Sequence, residues 1–85
     1  MNHDDIQAAV KGYILDEFLP GENPEALGRT TPLITHGILD SLATLKLVSF
    51  LEKQFKITVE PHEADVDHLN TLDDITRLVA SKLAP

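Results

Sequence analysis

The chain has 85 residues, 42% of them apolar and 25% charged, with a formal net charge of −7 and no cysteine. A chain this short buries only roughly 60–65% of its unfolded surface, enough for one modest core in a single domain over residues 1–85, not for a deep cleft between lobes. The acidic balance argues against a nucleic-acid binder, which needs clustered Lys and Arg, and the lack of thiols excludes disulfides and thiolate metal sites.

No apolar run approaches the ~20 residues of a membrane-spanning helix. Met1-Asn2-His3-Asp4-Asp5 lacks the basic and apolar regions of a signal peptide, so a cytoplasmic location is the expectation.

From Ile6 the apolar positions are Ile6, Ala9, Val10, Tyr13, Ile14 and Phe18, the one-sided spacing of an amphipathic helix. Asn2 or Asp4 is placed to cap it, and Pro20-Gly21 ends it. Gly12 inside it costs up to ~1 kcal/mol relative to alanine, and close packing against a neighbour is the one reason the sequence offers for it.

Residues 20–36 hold three of the five prolines and two of the four glycines, a loop long enough to need local structure of its own. Pro24-Glu25-Ala26-Leu27 is suited to one helical turn, with Leu27, Leu33 and Ile34 tacking the segment to the core.

Asp40 is a good N-cap for the next helix, because its carboxylate accepts from first-turn amides that otherwise have no partner. Ser41 then falls at the first helical position with its hydroxyl at the helix mouth, where amides and dipole favour anionic groups. That placement makes Ser41 a modification site rather than a nucleophile. The helix over residues 41–54 carries Leu42, Leu45, Leu47, Val48, Phe50 and Leu51, followed by Phe55, a breadth expected of a central helix packed on several sides.

Ile57-Thr58-Val59 alternates briefly but has no partner strand, so it reads as an extended connector. A short acidic segment from His62 to Leu69 is expected to make a turn or two of helix. Thr71 and Asp74 look like a capping box with Asp in place of Glu, opening a last helix that buries Leu72, Ile75, Leu78, Val79 and Leu83. The expected fold is all-α: a small four-helix bundle of three longer helices and a short one, with a long first loop.

Catalytic and metal readings find little support. His3, His36, His62 and His68 are scattered, and His62 to His68 is not the i, i+4 pair of a helical zinc site. His62, Glu63, Asp65, Asp67 and His68 read as a solvated acidic turn rather than a cation trap. Ser41 with His36 lacks the Gly-x-Ser-x-Gly elbow and any sheet to mount it. No catalytic residue and no metal ligand is assigned, and the chain is not expected to be an enzyme.

Gly37-Ile38-Leu39-Asp40-Ser41-Leu42, followed by a helix ending Leu51-Glu52-Lys53-Gln54-Phe55-Lys56-Ile57, resembles the acyl carrier proteins and their peptidyl and D-alanyl carrier relatives. The resemblance covers nearly the whole chain, including the Thr71-Leu72-Asp73-Asp74-Ile75 opening of the last helix. It implies that a phosphopantetheinyl transferase, using coenzyme A and magnesium, attaches 4′-phosphopantetheine to the Ser41 hydroxyl, with Asp40 serving as N-cap and as docking group for the transferase. The arm's thiol then carries acyl or aminoacyl intermediates as thioesters between a loading ligase and downstream acyl-processing enzymes. Such a carrier is expected to act as a stand-alone monomer in fatty acid, polyketide or nonribosomal biosynthesis. The faces of Leu45, Leu47, Leu51 and Leu78 are expected to be core, although fatty acyl carriers part such faces to shelter a chain.

One departure bears on partners. Carriers of fatty acid synthesis present acidic residues along the helix after the serine. Here residues 40–56 hold Asp40 and Glu52 against Lys46, Lys53 and Lys56. Leu42, Lys46, Ser49 and Lys53 form one stripe running down from Ser41, the expected partner-binding face of a carrier in a specialised lipid or secondary-metabolite pathway. The competing reading is a non-carrier helical interaction module, in which Ser41 only starts a helix.

Overall fold

The first amphipathic stretch forms α1, His3–Phe18, in the computed structural model, which describes residues 2–83. Asn2 is its N-cap, accepting the Asp5 amide at 2.8 Å. Three further α-helices follow among the described residues: α2 (Ser41–Phe55), α3 (Val66–Leu69) and α4 (Leu72–Leu83). Single 3-10 turns at Pro24–Ala26 and Pro61–Glu63 lie in the two connections, each with proline at its start, where the missing N–H is no loss. No strand occurs among the described residues, and residues 57–59 belong to no regular element.

The core is one cluster, with α1 and α4 as its most closely packed pair. α1 contributes Ile6, Val10 and Ile14, and α4 contributes Leu72, Ile75, Leu78 and Val79. Leu27, Leu33 and Leu39 pin the long first loop beneath them, and Leu69 and Val59 close the other side. Each large aliphatic side chain so buried contributes ~1.5–3 kcal/mol relative to exposure. These anchors let a mostly irregular loop hold one conformation.

Four expectations are corrected. α2 fully buries only the i, i+4 row Ala43, Leu47, Leu51 and Phe55, with Val48 and Phe50 half-buried against the core beside it. Leu42 and Leu45 lie outside that row and stay 64% and 63% exposed, so Leu45 is not a core residue, unlike Leu47, Leu51 and Leu78. Gly12 makes no close approach, because a Cβ built there meets nothing within 4 Å. The capping box at α4 is half formed: Thr71 Oγ1 accepts the Asp74 amide at 3.0 Å, but the Asp74 carboxylate faces Arg77 at 3.7 Å instead of turning back. Leu83, placed in the buried stripe by its spacing, is 40% exposed at the end of α4.

Across the seam between α1 and α2 runs a row containing all four aromatic residues of the chain. Tyr13 stacks on Phe50 with centroids 4.1 Å apart and planes at 11°, and Phe18 and Phe55 meet the two ends edge-on. The Tyr13 hydroxyl donates to the Lys46 carbonyl at 3.2 Å, tying the helices together near the surface.

Candidate functional site

Ser41 stands at the first position of α2, and the segment before it explains its presentation. The Gly37 amide donates to the Ile34 carbonyl at 3.0 Å, closing a turn in which Gly37 has φ +79°. That left-handed backbone suits glycine and strains residues with a Cβ. Leu39 is buried, and its amide donates to the Leu33 carbonyl at 2.9 Å. Asp40 follows with extended backbone, its carboxylate accepting the Ala43 amide at 2.8 Å. Its carbonyl takes the Thr44 amide and the Thr44 hydroxyl, both at 2.8 Å. In Gly-Ile-Leu-Asp-Ser, then, glycine makes the turn, leucine anchors it, aspartate caps the helix and serine is left exposed.

The loop is held from the far end of the sequence by Asn70, two residues ahead of α4. Asn70 Oδ1 accepts the amides of Ile34 at 2.9 Å and Thr35 at 3.1 Å, while its backbone carbonyl takes the Leu33 amide at 2.6 Å. Arg29 adds a second tie, its carbonyl accepting the Asp73 amide and its guanidinium meeting the Asp73 carboxylate at 3.2 Å. Hydrogen bonds to Arg29 and Gln7 hold the Asp73 carboxyl below the usual carboxylate range. An Asn-Thr pair before a leucine-led helix was the available signal, but it marks a cap and does not reveal a partner 36 residues away.

The Ser41 hydroxyl takes part in none of the side-chain hydrogen bonds among the described residues. The amides of Ser41 and Leu42, in the first turn of α2, have no intrahelical acceptor by helix geometry. Beside the serine lies an open groove of about 580 Å³ between the start of α2 and α3, lined by Ile34, Leu39, Thr44, Leu45, Ala64 and Val66, with Asp65 at its edge. Asp65 caps α3 through the His68 amide and bonds the His68 ring at 2.7 Å. That bond draws the Asp65 carboxyl down and pushes the His68 imidazole up from their ordinary values.

The expected partner stripe is together on one face: Leu42, Lys46, Ser49 and Lys53 are all exposed. Glu52 is not on it in effect, since its carboxylate accepts the Val59 amide at 3.0 Å and is committed to the connector. His36 is exposed and makes no hydrogen bond to Ser41. Among the described residues no group of three metal-ligating side chains converges. The acidic turn serves caps instead: Glu60 and Glu63 form a reciprocal box, and Glu63 pairs with Lys82 at 2.6 Å. Lys82, ahead of the Glu60 amide, holds the Glu63 carboxyl low.

An exposed, unpartnered hydroxyl at a helix mouth beside an apolar groove fits a covalently attached, phosphate-linked arm. Residues 19–79 match the family model described as the phosphopantetheine attachment site. The chain is 30% identical over 74 residues to the "Probable acyl carrier protein PigG" of Serratia sp. (strain ATCC 39006), covering 87% of this chain and 84% of that one. It is also similar to a chain in a solved structure titled "Crystal structure of FAD-dependent dehydrogenase", with TM-score 0.74 and 27% identity over 82% of this chain and 97% of that chain.

Proposed function

The chain belongs to the acyl carrier protein family, and from that premise we propose that Ser41 is the residue to which its 4′-phosphopantetheine is attached. The observation that carries the assignment is the exposed Ser41 hydroxyl at the first position of α2, with no protein group holding it. A phosphodiester formed on that oxygen lies against the first-turn amides of Ser41 and Leu42, where negative charge is favoured. Asp40 acts twice, as the cap that fixes the helix start and as a carboxylate beside the hydroxyl for the transferase's metal.

When bound, the arm supplies a thiol that holds cargo as a thioester. The chain's own residues position it: the groove formed by Ile34, Leu39, Thr44, Leu45, Ala64 and Val66 gives the arm and the first atoms of an acyl or aminoacyl cargo an apolar wall. Tethering replaces diffusion by a high effective concentration at each docked enzyme, which is why a carrier needs no catalytic pocket. The partners are a phosphopantetheinyl transferase, a loading ligase and downstream acyl-processing enzymes, acting in the cytoplasm on a monomeric carrier.

The pathway is a specialised lipid or secondary-metabolite one. What supports this is the stripe below Ser41, which carries Lys46 and Lys53 and no free carboxylate. The test is intact mass after incubation with coenzyme A and a broad-specificity phosphopantetheinyl transferase. The increment of one phosphopantetheine group is expected, lost in Ser41→Ala; no increment on the folded chain contradicts the assignment.

A further inference from the structure

The aromatic row between α1 and α2 is not sealed. Tyr13 and Phe50 are only half-buried, and the stacked pair lies in an open groove of about 510 Å³ on the outer face. Lys46 and Lys53 line it with Leu45 and Ser49. Seven residues of helix separate the two lysines, about 10 Å along the axis. Neither makes an ion pair among the described residues. Glu17, the α1 carboxylate whose charge reaches the Tyr13 hydroxyl, pairs with neither. An exposed apolar strip with two unpaired cations, in a chain of net charge −7, is complementary to an apolar surface carrying carboxylates. Leu45 also lines the groove at Ser41, so whatever sits here lies next to the serine.

We infer that this α1–α2 groove seats an acidic amphipathic helix of the enzymes that act on the tethered cargo. An apolar side chain of that helix lies over Tyr13 and Phe50, and two carboxylates one i, i+7 step apart meet Lys46 and Lys53. The inference rests on the carrier reading above and adds the chemistry of the surface that reads the carrier. It reverses the polarity usual beside such a serine: the carrier brings the cations and the enzyme the carboxylates.

The test uses the full-length, ¹⁵N-labelled chain and two synthetic helical peptides. One has Glu at i and i+7 with Leu at i+3 and i+4; its sibling has Lys at i and i+7. The acidic peptide is expected to shift the amides of Leu45, Lys46, Ser49, Phe50 and Lys53 and to bind about tenfold more tightly than the basic one. Rising salt should weaken it, and the Lys46→Glu/Lys53→Glu chain should reverse the order. If that double variant loses its dispersed spectrum, Lys46→Gln/Lys53→Gln replaces it and should erase the preference. Equal binding of the two peptides, shifts on another face, or no shift with either at millimolar concentration overturns the inference. Dilution-dependent shifts of the same amides without peptide assign the groove to a second copy and also overturn it. Mass analysis of Ser41 modification in the same preparation keeps the two readings apart: a missing increment counts against the carrier, and lost peptide discrimination counts only against this surface.

Discussion

The backbone carbonyl of Asn70 takes the amide of Leu33 at 2.6 Å, joining the α3–α4 junction to the loop that delivers Ser41. The Asn70 side chain completes the clamp on Ile34 and Thr35. Asn70→Ala leaves two amides without their acceptor, the Ile34 amide in part-buried surroundings, at a cost of about 1–3 kcal/mol. Amide exchange at Ile34 and Thr35 should accelerate more than exchange in α1. Asn70→Asp, which keeps an oxygen acceptor, should restore most of the protection.

Asp40 separates cap from docking group. Asparagine caps nearly as well as aspartate, whereas alanine costs ~1 kcal/mol. Asp40→Asn should therefore unfold within a few tenths of a kcal/mol of the parent, and Asp40→Ala at lower denaturant. If the carboxylate also serves the transferase, Asp40→Asn is modified markedly more slowly despite its intact fold. Equal modification rates for parent and Asp40→Asn reduce Asp40 to a cap.

Gly12 has ordinary helical backbone and open space where a Cβ would stand. Gly12→Ala should stabilise the chain by ~0.5–1 kcal/mol through helix propensity and a less free unfolded state, read as a higher denaturation midpoint with unchanged slope. Destabilisation would mean that α1 needs flexibility at that point.

The helices, their caps and the serine motif were legible because they are local. Offsets of three and four residues report a buried face, and Asp-Ser at a helix mouth reports a cap. Asn70 was not legible, since its partners lie 36 residues away and a polar side chain leaves no periodic trace of what it binds. Leu45 misled for a related reason. Periodicity counts apolar residues but not the neighbours available to cover them, and on α2 Leu42 and Leu45 find none. The aromatic row escaped notice because Tyr13 and Phe50 each fit their own helix and meet only in three dimensions.

The Asp65–His68 pair beside the Ser41 groove sets a pH dependence. The His68 pKa is raised from 6.5, chiefly by its hydrogen bond to Asp65, so its contribution is complete below about pH 6.5 and is lost as pH climbs through the raised value. The Asp65 pKa is lowered from 3.8 by the same bond, so its contribution is present above that value and is lost as pH falls through the lowered one. The pair therefore supports α3 most between about pH 4 and 6.5, and modestly, because both side chains are partly solvated. In an NMR titration His68 should titrate above the ordinary histidine value of 6.5. Asp65→Asn, which preserves the cap on α3, should lower the His68 value.

The central claim is that Ser41 alone carries the arm, and the chain offers two other serines to compare. Ser81 donates its hydroxyl to the Leu78 carbonyl at 2.7 Å, and Ser49 lies midway along the outer face of α2. Fragmentation mass spectrometry of the transferase-treated chain tests the claim most directly. The phosphopantetheine increment is predicted on the fragment ions containing Ser41 and on none confined to Ser49 or Ser81. An increment on either of those, or an unmodified Ser41 in a folded and transferase-treated sample, contradicts the account.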